Sequence, residues 1–298
     1  MGSKVQPIGF RLGHSLNWKA NWQAHTQEFG DKAFRDHQIE TLLRDFLRQH
    51  GILMGTLSTQ ELILQDGKKH LLFNANYFVR RRTFLQAFKQ KTKLKDIKQL
   101  KNPRKRWIKQ KLFLQQAFNF RINEIIKVQA PILVANFLKE FQSNHQNSFE
   151  LRLVDTFKIG KPHSLAIHKM QRTIRGRDRR FSRSPYGKDI YFLIHKMILT
   201  KDTAMVGNLI ATLLEKTKKH HWVLNNIEGL VKIVYLQYQG LNGIRIQTKG
   251  RIAGSKRKRK RQFQIGALAL QRIDLPVQYS CHKAVTRFGV TSIKIWLT

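Results

Sequence analysis

Carboxylates are scarce in this chain: Asp and Glu number 18 against 56 Lys and Arg, a net charge of +38. Metal-assisted or acid–base catalysis needs carboxylates gathered in one place. These few stand mostly isolated among cations. Cysteine is scarcer still. Cys281 is the single one, which excludes an internal disulfide framework and a Cys-based zinc finger. No apolar run approaches the roughly 18 residues of a membrane-spanning helix. No phosphate-binding glycine loop, dinucleotide fingerprint or Ser-His-Asp context is present. The pairs His220-His221 and Cys281-His282 lack the spacing of a tetrahedral zinc site. The expectation is a protein that is not an enzyme, with no cofactor and no bound metal.

What is present is positive charge on a chain able to fold. Hydrophobic residues make up 41% of the sequence, enough for real cores. A free globule at +38 would repel itself, so a permanent polyanionic partner is expected. Nucleic acid fits best, because each neutralised phosphate releases a counterion. An anionic membrane surface fits less well, since the cations spread over nearly the whole chain rather than along one amphipathic helix. The densest run is Lys256 to Arg261, six consecutive cations. It reads as a nuclear import signal, a solvated face or a contact to RNA, and the charge of the whole chain favours the last.

Residues 1 to 30 read as an ordered irregular arm. Trp18 and Trp22 in it either stack on bases or anchor the arm on protein. A helix is expected over residues 36–51, with Ile39, Leu42, Leu43, Phe46 and Leu47 at helical spacing and Gly51 as its stop. A β-hairpin follows, with strands near Glu61–Gln65 and His70–Tyr77 and an Asp66-Gly67 turn. From Arg80 to about Asn147 there is no glycine, and a set of basic helices is expected, with Pro131 breaking or starting one. Residues 172–188, "RTIRGRDRRFSRSPYGK", read as an Arg-rich loop. "DIYFLIHKMI" reads as a strand. A helix with Asp202 or Thr203 as cap buries Met205, Leu209, Ile210, Leu213 and Leu214. A second covers Ile227 to Gln239. Then the period changes to two in "GIRIQTKGR", "RQFQIGALAL" and "TSIKIWL", as in half-buried strands.

The opening "MGSKVQPIGFRLG" resembles the start of the small-subunit ribosomal protein S3 family, with Gly2, Lys4, Val5, Pro7, Gly9, Arg11, Leu12 and Gly13 at the pattern's fixed positions. "GLNGIRIQTKGRIAGSK" and the closing "LQRIDLPVQYSCHKAVTRFGVTSIKIWL" are similar to that family's C-terminal segments. The resemblance covers about residues 1 to 30 and 200 to 298 and implies a divergent, mitochondrial-type member. The implied fold is α+β. An N-terminal arm (1–35) leads to a KH-like domain (36–200) with basic helical insertions (about 80–188). A C-terminal α/β domain with a mostly antiparallel sheet follows (201–298). The only GxxG spacing is Gly240–Gly243, outside the KH-like stretch, so its nucleotide-gripping loop is expected to be degenerate.

The resemblance implies a structural constituent of the ribosome, placed in the head of the small subunit. Its partners would be small-subunit ribosomal RNA, mRNA at the channel by which it enters, and neighbouring head proteins. The residues expected to bind RNA are Lys4 and Arg11; Arg80, Arg81 and Arg82; Arg175, Arg177, Arg179 and Arg180; Lys216, Lys218 and Lys219; Arg251; and Lys256, Arg257, Lys258, Arg259, Lys260 and Arg261. By the resemblance, a helix after a Leu-Glu pair carries the cations lining the mRNA path; Lys216, Lys218 and Lys219, just after Leu214-Glu215, are the candidate substitutes for them. His221, Trp222 and Asn225 stand where arginines would fall, which puts an unwinding role in doubt. The family pattern begins at residue 1 in a divergent chain rich in Lys, Phe, Ile and Asn. A mitochondrial ribosome and an organelle gene are therefore expected, with a plastid or bacterial cytoplasm as the alternative. A free RNA chaperone and a maturase-like RNA-processing factor are the competing functions.

Overall fold

A computed structural model describes residues 5–63, 69–80, 116, 119–141, 148–156, 185–237 and 241–298. They divide into two compact units: Ala20–Ala75 with Val79–Val154, and Met1–Lys19 with Asn76–Phe78 and Asp155–Thr298.

The first unit is built on a long helix and a four-stranded sheet. Helix α1 (Thr26–Gln49) begins ten residues before the expected start and buries Ile39, Leu43 and Leu47, one every fourth residue. It ends where Gly51 takes φ +75°. The sheet runs β1 (Ala20–Asn21), β2 (Ile52–Ile63), β3 (Lys69–Val79), β4 (Ser148–Asp155), with β1 parallel to β2. The hairpin is therefore longer than "QELILQ" implied, and its Asp66-Gly67 turn lies outside the described residues. Pro131 sits in the first turn of α2 (Ala130–Phe141), just after a π-helical turn at Ile125–Gln129. A proline there has no N–H to give the preceding turn, which favours such a widening. Trp22 settles as a protein anchor: its Nε1 donates to Asp36 at 2.8 Å, and Asp36 also accepts from Thr59 at 2.7 Å. Trp18 is 67% exposed.

In the second unit, "DIYFLIHKMI" is helical, not a strand. Helix α3 (Pro185–Thr200) buries Ile190, Leu193, Ile194 and Met197, the i, i+3, i+4, i+7 set. Read as a continuous apolar run, that spacing is invisible, and short apolar runs do not separate strand from helix. Pro185 at the first position and Lys201 at φ 52° bracket it. Helix α4 (Ala204–Lys216) has Thr203 at its N-cap, and Asp202 Oδ1 accepts the Ala204 N–H at 2.9 Å. It is buried on nearly all sides. Gly207 makes this possible, because a Cβ there would stand 2.1 Å from the His282 ring. Helix α5 (His220–Gln237) starts seven residues before Ile227.

The C-terminal sheet has the order β6-β5-β8-β7, every neighbour antiparallel. Strands β5 (Gly243–Gly250), β6 (Arg259–Gly266) and β8 (Gly289–Leu297) match the alternating stretches. Strand β7 (Gln278–Thr286) escapes the sequence pattern because its buried residues, Ser280, Ala284 and Thr286, are small or polar and give no hydropathy alternation. Strand β6 stops at Gly266 (φ +76°), where a Cβ would meet the Asn242 carbonyl at 2.2 Å, so "ALAL" leaves the sheet. Gly243 opens β5 and would press a Cβ to 2.3 Å from the Ala267 carbonyl; it serves strand pairing. Gly240 lies outside the described residues.

Candidate nucleic-acid interface

The β5–β6 connection is held without any acid. Ala253 (φ 53°) and Gly254 (φ +79°) turn the chain back in the left-handed region. His220, 1% exposed at the start of α5, accepts the Ala253 N–H through Nδ1 at 3.1 Å. An accepting Nδ1 is unprotonated. Burial pushes the His220 pKa down, against the Leu214 and Thr217 carbonyls that favour the charged ring. Phe288, on the β7–β8 turn, meets His220 edge-on at 5.8 Å and backs Gly254. Arg251 Nε donates to the Ser255 carbonyl at 3.1 Å, and Ser255 Oγ to that of Arg257 at 2.8 Å.

On this base the cation run divides. Lys256, Arg257 and Lys258 lie exposed in the turn. Arg259 and Lys260 are exposed on β6, an edge of the sheet, opposite Gly250 and Lys249. Half the run is thus strand, three residues of β6 rather than loop. Arg261 is tethered: its guanidinium donates to Asn225 and lies 3.4 Å from Glu228, both on α5. Bonding to Lys232 first, with Arg261 adding to it, holds the Glu228 carboxyl below the usual range. Lys216, Lys218 and Lys219 are exposed just before His220, so the His220–Ala253 bond brings them to the same corner as Arg251 and the run. Arg287, exposed beside Phe288, joins them, and no motif in the sequence singles it out. The N-terminal end of α5 adds its partial positive charge there. Among the described residues, no group of three or more His, Cys, Asp or Glu could hold a metal ion.

Two residues expected to bind RNA are withdrawn from the surface. Arg11 is 0% exposed. Its guanidinium donates to the carbonyls of Arg272 (2.6 Å), Leu275 (2.7 Å), Leu270 (2.9 Å) and Pro7 (3.1 Å). It docks the arm on the 268–275 segment rather than on phosphate. Arg80 is 7% exposed, with Nε donating to the Gly51 carbonyl at 3.2 Å. A long cation in a glycine-poor stretch reads as surface, and only the tertiary carbonyl cage shows otherwise. Lys4, Arg81, Arg82, Arg175, Arg177, Arg179 and Arg180 lie outside the described residues.

Strand register assembles further cations that spacing along the chain does not reveal. Lys249, Lys260, Lys283, Lys294 and Arg245 occupy the sheet face opposite the buried Ile244, Ile246, Ile293 and Ile295. No residue of β5, β6, β7 or β8 is Asp or Glu.

Residues 228–297 match the family described as ribosomal protein S3, C-terminal domain. The small ribosomal subunit protein uS3 of Aquifex pyrophilus is 38% identical over 58 residues, 20% of this chain and 25% of that protein. The matched stretch thus spans about a quarter of that relative. The uS3 protein of Rickettsia akari is 30% identical over 112 residues, 37% of this chain and 49% of its own length. That of Pseudoalteromonas atlantica is 20% identical over 298 residues, covering 100% of this chain and 87% of the relative.

Proposed function

The chain belongs to the ribosomal protein S3 family, and on that premise we propose that it is a structural, non-catalytic constituent of a small ribosomal subunit. Its work is to neutralise and fix small-subunit ribosomal RNA and to dock neighbouring head proteins. The observation that supports this reading most is the cationic corner of Lys216, Lys218, Lys219, Arg251 and Lys256–Lys260, built on the His220–Ala253 bond. Ion pairs among the described residues leave Lys256 to Lys260 without a carboxylate, so their charge is available for phosphates.

The domain reading goes with it: an arm over 1–35, a degenerate KH-like domain over 36–200 with basic insertions about 80–188, and the family's C-terminal domain over 201–298. The order α1, β2, β3, α2, β4 supports the KH-like part, with β4 rather than "DIYFLIHKMI" as the strand after the helices. The site near mRNA, where it enters the subunit, rests on Lys216, Lys218 and Lys219 being exposed. A mitochondrial ribosome is the compartment we favour. The support is a Lys- and Phe-rich composition and 20% identity over the full chain to a bacterial relative.

Changing Lys256, Arg257, Lys258, Arg259 and Lys260 together to Gln, with Arg261 kept, tests the corner. All five are exposed. The fold should persist, since exposed substitutions shift stability by no more than about 0.5 kcal/mol each. Binding to small-subunit RNA should weaken, with a log–log salt slope shallower by roughly 0.7 to 0.9 for each phosphate that is no longer neutralised. An unchanged slope would make the run a solvated face.

A further inference from the structure

The outward face of the C-terminal sheet is a second surface, and it differs in kind from the corner. Register places three rows across the four strands: Lys260, Lys249, Ser292, Lys283; then Gln262, Gln247, Lys294, Cys281; then Gln264, Arg245, Trp296, Tyr279. The first row is cationic. The second adds amide side chains that both donate and accept. The third ends in an aromatic pair, Tyr279 and Trp296, with centroids 5.4 Å apart and planes tilted 44°. The Arg245 guanidinium stands 5.8 Å from the Trp296 ring and bonds Gln264 Oε1 through Nε at 2.9 Å. Beside Arg245 a cleft of about 700 Å³ opens between the arm and the 268–272 segment, lined by Phe10, Arg245 and Leu270 among others. Phe10 is 39% exposed.

We propose that this face binds single-stranded RNA, with phosphates over the Lys rows and bases against Trp296, Tyr279 and the cleft. The occupant follows from charge and shape. Five cations and no carboxylate call for a polyanion. A duplex hides its base faces, so it would leave the aromatic row and the cleft without partners. A single strand offers both a phosphate line and free π-faces to a twisted four-stranded sheet. The proposal rests on the reading of the chain as an RNA-binding protein but concerns a surface that shares only Lys260 with the Lys256–Lys260 corner.

The one cysteine of the chain is on this face. Cys281 is exposed and lies opposite Lys294. Its alkylation by a maleimide, followed by mass spectrometry of the full chain in about 0.2 M salt, reports occupancy locally even though the rest of the protein is basic. A twelve-nucleotide oligouridylate should slow alkylation about tenfold or more, and a duplex of equal length should do so far less. Trp296→Leu, or Lys249→Gln with Lys283→Gln and Lys294→Gln, should abolish the protection, while Trp296→Phe should keep it. A variant with Lys256, Arg257, Lys258 and Arg259 changed to Gln and Lys260 kept should keep it too, so failure of corner binding and failure of this face are read apart. Three results would overturn the proposal: a Cys281 rate indifferent to oligouridylate, equal protection by duplex, or a thiol blocked in native subunits but unaffected by any RNA. The last would assign the face to a neighbouring protein.

Discussion

Arg11→Ala is expected to destabilise the second unit by about 3 kcal/mol, because it strips a buried fork of donors from five carbonyls at once, those of Pro7, Ala269, Leu270, Arg272 and Leu275. Hydrogen bonds from a charged donor contribute about 1.5–3 kcal/mol each, and the exposed part of the 268–275 segment recovers some of that loss from water. Burial pulls the Arg11 pKa down, with Asp274 opposing, as expected of a cation enclosed chiefly by dipoles. Arg11→Lys should rescue only in part, since an ammonium cannot reproduce the planar fork. Thermal melting is the measurement, with a drop of roughly 6–12 °C expected for a chain of this size. Direct binding of Arg11 to phosphate would give the opposite pattern, an unchanged melt and weaker RNA binding.

Acid should weaken the same unit through its buried histidines. His195, 3% exposed in α3, has its pKa driven to about 4 by burial and by the charge of Lys196, and burial lowers that of His220 as well. Both rings fold neutral. Below about pH 6.5 the unfolded chain therefore binds more protons than the folded one. Stability from these groups is complete above that pH and falls as pH drops toward their folded pKa values. For His195 alone the loss between pH 7.5 and 5 is about 2 kcal/mol. Denaturant melts across that window should show it, and His195→Gln should flatten the slope. Protonation of His220 also removes the acceptor for Ala253, so the turn bearing Lys256 should loosen as pH falls toward the lowered His220 pKa.

The legible parts of the sequence were those with a strong local signal. The stripe Ile39, Leu43, Leu47 and the stop at Gly51 placed α1. The alternation of Ile244 and Ile246 placed β5, and that of Ile293 and Ile295 placed β8. The class, α+β with an antiparallel C-terminal sheet, followed from these. What escaped depended on partners distant in the chain. Arg11 looks like any arm cation until carbonyls 259 to 264 residues away close around it. Strand β7 hides because Ser280 and Thr286 fill its inward positions. The outward face is invisible along the sequence, since Lys249, Lys283 and Lys294 meet only through register. The cation run itself was plain, but not that Glu228 and Asn225 would claim Arg261 and leave its neighbours exposed.

The central claim is integral membership of a small ribosomal subunit. Sedimentation of native subunits after a salt wash that strips loosely bound factors tests it most directly. The protein should remain with the small subunit at a ratio near one copy per particle. Recovery mainly in the free fraction would contradict the claim and favour a free RNA chaperone or processing factor.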